Sequence, residues 1–555
     1  MKRFYYILLA FALVFSSCEK QPEPNNGNNN NNNNNNNTEQ PGGNTTPQEP
    51  ETNWTYYYVN NFAYDLMDTY YLWKKEIKSQ LMAWKTDEEP IAKVKAIRYK
   101  DSSGNDIDKW TQVTDDYNAF MGSVTGVTTT YGYDFFDFAQ DKQNTNRVLA
   151  TVRYVYPNSP ASEAGLKRGD VIEQVNGKDI LIIWQGTSGY LDTDFIYDQM
   201  VYSSSCTLTL SDGRKVSMTA REMIEDPVTI YTVLDNGEKK IGYMHYTSFT
   251  AESCYTLIEA CKEFKAAGIK ELILDLRYNG GGAVVTEEVL MSMLAPRANV
   301  EAGDIFEKEI YNSEYAAQMV KWYGEDAGVS RLAFQHDFRF DDKDYHFNTE
   351  DANIGLEKVY AIITDDSASA SEALICCLKP FLPVVTIGKQ SHGKYCGGYI
   401  IGSDDYFQDI IDYYTENTTS QSAEAIEFGK GGLKYAKNWG LYVMFSRYAD
   451  KDGVTLCMPN GIKPDYSAVD NLKDGYQLGD PNESMLKIAL RRADFKVPDQ
   501  SSTQQQAPAR YEQEVKINFQ RREKPGMVRQ FTLPQGYLRD RELQRISNDQ
   551  YTPAE

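Results

Sequence analysis

The chain has 555 residues, with 79 acidic against 57 basic side chains and a formal net charge of −22. That length exceeds one hydrophobic core and predicts about two to four domains. Hydrophobic residues make up 41% and charged residues 25%, as in soluble globular chains, while the acidity argues against nucleic acid as a partner. Zinc-finger, Walker-loop and HExxH spacings are absent, so no metal or nucleotide cofactor is implied.

At the N-terminus, Lys2 and Arg3 precede the apolar run "FYYILLAFALVF" and then "SSC". A basic start, a short apolar core and small residues form an export signal, too short to span a bilayer comfortably. An apolar run ending at Cys18 resembles a bacterial lipoprotein signal, which implies that Cys18 carries lipid; an ordinary cleaved signal with an incidental cysteine is the alternative. Residues 19–52 are Asn-rich and broken by Pro and Gly, a composition that cannot bury a core and predicts a disordered tether with an end-to-end distance of about 30 Å. Seven cysteines remain beyond Cys18, scattered and odd in number, which is not a disulfide framework. The pair Cys376–Cys377 falls in a helical pattern and reads as core packing.

From Trp54 to Trp73, apolar Val59, Phe62, Leu66, Tyr70 and Trp73 recur at three- and four-residue spacing. That is one helix face, and it predicts a small helical domain over 53–128. Residues 152–180 read as a strand, a short helix in "SPASEAGL" and a strand closed by an Asn-Gly turn; "CTLTLSDGRKVSMTA" reads as a hairpin around Asp212-Gly213. The pattern SPA…AGL…GD.I..VNG resembles a PDZ domain, placed at 129–225. Such domains add an extended peptide as an edge strand and hold its carboxylate with backbone N–H groups. "YGYDFF" stands at the carboxylate-loop position and makes Tyr133, Asp134, Phe135 and Phe136 the candidate peptide-binding residues, although it lacks Gly-Leu-Gly-Phe. From about 226 to 497, strands alternate with helices, which predicts an α/β domain with a buried sheet. A polar tail follows from 498 to 555.

The α/β region contains "TDDSASASEALICC", where three serines follow an apolar strand. A nucleophilic serine needs an exposed Oγ, a base and N–H donors for an oxyanion; a sharp strand-to-helix turn supplies free first-turn N–H groups. Taken alone, Ser369-Ala-Ser-Glu372 is a helix capping box.

The larger constellation is a strand, SASASE, a helix, a strand and G-x-x-x-x-G-K, with "LDLRYNGGG" upstream, "GIKPD" downstream and a PDZ insertion before it. It resembles the carboxyl-terminal processing (tail-specific) serine protease family, in its bacterial lipoprotein form, over most of residues 54–495. The resemblance implies a multidomain α/β chain: a ClpP/crotonase-like α/β protease domain, a PDZ domain and a small N-terminal helical domain. It also implies Ser369 as nucleophile, Lys394 as base, and Ala370 with Gly280 or Gly281 as oxyanion donors, with Glu372 bracing the turn.

Free lysine titrates near ~10.4, so a lysine base must be lowered by burial; reaching about 8 costs roughly 3 kcal/mol at ~1.36 per unit. His392, two residues earlier, is the alternative base; His245, His336 and His346 have no motif. Two departures stand out. Gly398 occupies a position where many members of the family have Gln, and Pro380 one where some have Asp. Lys389 adds positive charge nearby. The implied function is an exported, lipid-anchored endopeptidase of the cell envelope. It would act on extended or unfolded polypeptides, including through free C-termini, and the envelope placement fits an outer membrane, facing the periplasm or the exterior. The alternative is a catalytically inactive peptide-binding lipoprotein.

Overall fold

The computed structural model describes residues 52–125, 127–185, 188–340, 343–497 and 528–530. The signal, Cys18 and the tether lie outside them, as does the rest of the tail.

A six-stranded sheet forms the middle of the α/β region. Its order is Val228–Asp235, Lys240–Tyr246, Glu271–Asp275, Lys358–Ile363, Val384–Gly388 and Tyr466–Ser467. The first pair is antiparallel and the others are parallel. Strands buried on both faces read as continuous apolar runs, and Val359 to Ile363 are all buried. One face packs on the helices Ser253–Ala267, Val284–Leu294 and Ala370–Leu378, the other on Ser484–Arg492.

Three neighbouring strands, Glu271–Asp275, Lys358–Ile363 and Val384–Gly388, run parallel. Their C-terminal ends therefore lie side by side, and they lead into the Gly-rich loop, the serine turn and the lysine loop. Open α/β sheets place ligand sites at such ends.

A second sheet has the order Val329–Arg331, Ile305–Tyr311, Gly440–Asp450, Cys396–Gly402, with Val528–Gln530 pairing at its edge and Gln112–Thr114 also pairing Gly440–Asp450. The eleven-residue strand Gly440–Asp450 is buried at all but one position.

The first helix, Trp54–Tyr70, starts at Asn53, whose side chain accepts the Tyr56 N–H at 3.2 Å. Its inner face carries Val59, Phe62, Leu66 and Tyr70, at the spacing read from the sequence. That face shares a core with Tyr406, Phe407, Ile410 and Phe428 from the helices Ser403–Glu416 and Ser422–Tyr435, and with Leu441 and Val443 of the second sheet. Each such fully buried side chain stabilises by about 1.5–3 kcal/mol. The N-terminal helices thus bury their apolar face against the far end of the chain, not in a core of their own.

The region over 129–225 has a separate core. Its strands include Arg147–Thr151, Val171–Val175, Lys178–Gln185, Ser205–Leu210 and Lys215–Thr219. The Asn-Gly turn forms as read, with Asn176 and Gly177 both at positive φ (52° and 73°), as a tight two-residue hairpin requires. All seven cysteines of the described residues are buried and free.

Candidate active site

The serine turn is tied to the Gly-rich loop by backbone. Ser367 Oγ donates to Leu276 O at 2.7 Å, Ser371 Oγ to Asn279 O at 3.0 Å, and the Ala368 N–H to the same Asn279 O at 3.0 Å. Two of the three alternating serines thus fasten the turn. The middle one, Ser369, sits at its apex with φ 60° and ψ −116°, and it is fully buried, not exposed as a strand-to-helix turn predicts, because the Gly-rich loop packs directly over it. Positive φ is uncommon for a residue with a Cβ and marks a backbone held by its surroundings. Ser369 also opens the helix Ala370–Leu378 as its N-cap, in a capping box with Glu372.

Glu372 does more than cap. It is fully buried, and its two oxygens collect four donors. Oε2 accepts the N–H of Ser369 at 3.0 Å and that of Lys394 at 2.8 Å; Oε1 accepts the N–H of Gly393 at 2.7 Å and the Ser391 hydroxyl. Two nitrogens sharing one oxygen lie within about 6 Å of each other, the sum of those two distances. One carboxylate therefore locks the backbone of Ser369 to that of Lys394 across 25 residues of sequence. Burial pushes the Glu372 carboxyl above its ordinary range, and the Ser391 hydroxyl and the three N–H groups pull against it.

Lys394 is 3% exposed. Its Nζ donates to Tyr442 Oη at 3.2 Å and lies over the rings of Tyr442 and Trp110, 5.1 and 5.5 Å from their centroids. His392 is exposed and turns its ring toward Trp110, 6.5 Å between centroids, while its N–H goes to Ser367 O. Lys389 is exposed as well. Pro380 follows the C-cap of the serine helix, at the opposite end from Ser369.

Gly281 has φ +101°, and a Cβ there would stand 2.8 Å from Ser369 Cβ and 3.0 Å from Ala370 N. Only glycine permits that approach. Its N–H is given to Asn279 Oδ1 at 2.9 Å.

Residues 240–468 match the family model for Peptidase family S41, and residues 151–190 that for the PDZ domain. The chain carries a PDZ domain and an S41 peptidase domain. It is 26% identical over 193 residues to a chloroplastic C-terminal processing peptidase of Tetradesmus obliquus, covering 32% of this chain and 39% of that one. It is 22% identical over 376 residues to a CtpA-like serine protease of Staphylococcus aureus (strain bovine RF122 / ET3-1), covering 67% and 63%. The chain thus spans less than two thirds of either relative's length. A candidate S41 protease structure from Bacteroides fragilis NCTC 9343 is alike in fold, with TM-score 0.56 and 21% identity over 81% of this chain and 99% of that one.

Within the S41 domain, Ser369, Ala370, Glu372, Lys394 and the loop of Gly280 and Gly281 converge. The PDZ residues lie apart from them. Tyr133 and Asp134 pair as a short strand with Val155 and Tyr154, and Phe135 is buried against Phe136, 4.7 Å between ring centroids. Asp134 binds Arg153, whose Nη1 reaches Asp366 at 2.5 Å, three residues before Ser369, and whose guanidinium covers the Tyr278 ring at 4.5 Å. Arg168 donates to Tyr278 Oη at 2.8 Å and pairs with Asp470 and Glu483; buried Arg277 pairs with Asp275, Asp470 and Glu483. These guanidinium groups hold the Asp470 carboxyl well below its usual range and, against the opposing effect of burial, bring Glu483 down to about 2. Sequence reasoning missed Tyr442 and Trp110 beside the lysine. Both come from segments remote from the motif; the glycine at 398 was the one local signal. Among the described residues, no group of His, Cys, Asp or Glu is placed to hold a metal, and no helix is long and apolar enough to cross a membrane.

Proposed function

We propose that the protein is a serine endopeptidase with a Ser369–Lys394 dyad, acting on extended or unfolded polypeptides. The observation that carries this reading is the Glu372 carboxylate, which holds the strained, buried Ser369 and the buried Lys394 through their backbone N–H groups. Ser369 Oγ attacks the scissile carbonyl while Lys394 Nζ takes its proton. The N–H groups of Ala370 and of Gly280 or Gly281 receive the oxyanion. Lys394 then returns a proton to the leaving amine, and water, deprotonated by the same nitrogen, releases the acyl group. Burial favours the neutral amine that a base must be. The exposure of His392 speaks against it as the base.

In this reading the PDZ domain recruits the polypeptide, including through a free C-terminus, and the chain is exported and anchored by lipid on Cys18 to the cell envelope. The test is cleavage of an unfolded protein and of peptides with apolar C-termini by wild type, Ser369→Ala, Lys394→Ala and His392→Ala. The dyad requires loss in the first two variants with folding intact, and retention in the third. Activity that survives Lys394→Ala rejects it.

A further inference from the structure

We propose that Tyr442 positions Lys394 for catalysis, its phenol oxygen fixing the rotation of the amine, and that residue 398 is glycine to admit its ring. The inference rests on the dyad reading above.

A lysine amine ends a stem of four methylenes and rotates freely, so burial alone does not aim it. The two ring faces around Nζ attract with little directional preference. The hydroxyl at 3.2 Å is the directional contact. It fixes one N–H of the amine and with it the rotation about the Cε–Nζ bond, which sets where the lone pair points.

The Tyr442 side chain is built to stay in place. Its strand, Gly440–Asp450, is paired on both sides at this residue, with Ile400 on one and Gln112 on the other. The residue is 1% exposed, and Phe120 backs the ring at 5.8 Å. The ring lies across Gly398: a Cβ at 398 would fall 2.2 Å from Cε2 and 2.6 Å from Cζ of Tyr442. Gly398 has no positive φ that would demand glycine. The space taken by Tyr442 and Met444 explains the missing side chain. Titratable groups near the amine include Cys396, two residues on, whose thiol feels Lys394 together with Asp108 and Arg447, and Glu372 beneath the Lys394 backbone.

The test uses the full chain and two readouts as a function of pH: the rate at which a fluorophosphonate labels Ser369, and peptide hydrolysis. Tyr442→Phe keeps the ring and removes only the oxygen. Its labelling rate and kcat should fall about tenfold or more with KM within about twofold. The inflection of the pH profile should move to lower pH, because the ammonium form loses an acceptor. Gly398→Ala keeps the oxygen but displaces the ring, and should shift the profile in the same direction; it also serves if Tyr442→Phe does not fold. A Tyr442→Phe protein with the rate and inflection of wild type overturns the proposal. Labelling that depends on Tyr442 without any peptide cleavage overturns the endopeptidase reading and keeps this one. Cleavage indifferent to Tyr442→Phe does the reverse. Wild type that is never labelled removes both.

Discussion

The serine turn and the seam between the PDZ and S41 domains lie on either side of the Gly-rich loop, and they are held by different means. At the turn, one carboxylate receives three backbone N–H groups and a hydroxyl, and glycine admits the neighbouring backbone. At the seam, three arginines meet five carboxylates and a tyrosine. Backbone donors carry no titratable charge, so the turn depends on the ionisation of one side chain. The seam depends on several charges remaining in balance, and acid should cost it stability as its carboxylates protonate.

Arg277→Met tests that contrast most severely. It leaves Asp275 buried without its guanidinium and Glu483 with Arg168 alone, and removing one partner of a buried pair costs about 3–5 kcal/mol. Urea unfolding should show a loss of that size, and the loss should shrink at low pH, where the stranded carboxylates protonate. In wild type the sign is fixed by the direction of the shifts. Glu483, at about 2 when folded, stabilises the fold above its unfolded pKa of ~4.5, and that contribution, about 3 kcal/mol, is lost as pH falls toward 2. His245, buried and lowered to about 4, adds to the loss between roughly 6.5 and 4, since the unfolded chain binds the extra proton there. Stability that stays flat from pH 7 to 3 would mean that the seam is not held by charge.

Glu372→Ala attacks the other side. Four donors lose their acceptor; at about 1–3 kcal/mol for a buried unsatisfied group, and with water entering the space, the net cost should be about 3 kcal/mol. Hydrolysis should fall steeply, because the backbone N–H groups of Ser369 and Lys394 then lose their shared acceptor, and the His392 N–H to Ser367 O bond is left to tie the lysine loop to the serine turn. A Glu372→Ala protein that unfolds at the wild-type urea midpoint and still cleaves peptide would show that other contacts hold the turn.

The elements of the site differ in how far the sequence reveals them. The Gly-rich loop, the serine turn and the lysine loop are legible because each is a short local pattern that follows a strand, and because parallel strands deliver their ends to one side. The capping box at Ser369 was legible from its spacing, but the reach of Glu372 to Gly393 and Lys394 was not, since no local rule predicts where a buried carboxylate finds its remaining donors. Trp110 and Tyr442 approach Lys394 from positions 284 residues before and 48 after it, and nothing in their neighbourhoods marks them. The same holds for the first helix. Its apolar face is readable at Val59, Phe62, Leu66 and Tyr70, but periodicity gives a face and not its partner, and the partner is a pair of helices more than 300 residues away. The strand Gly440–Asp450 is buried on both faces, so it lacks the alternation that would have marked it.

Asp366→Asn should have the smallest effect, and it separates structure from function at the seam. Asp366 is 35% exposed at its side chain, and Arg153 keeps its second partner, Asp134, when Asp366 is neutralised. A half-wet ion pair of this kind is worth under about 1 kcal/mol, so the urea midpoint should hardly move. Yet this contact joins a PDZ arginine to the segment that leads into Ser369, and the same arginine covers Tyr278 of the Gly-rich loop. If the seam only glues two domains, Asp366→Asn should leave kcat as small a fraction changed as stability. If it transmits the state of the PDZ domain to the serine turn, cleavage of a peptide that engages the PDZ domain should fall more than cleavage of a short peptide that does not. Equal rates for both peptides in wild type and variant would reduce the seam to glue.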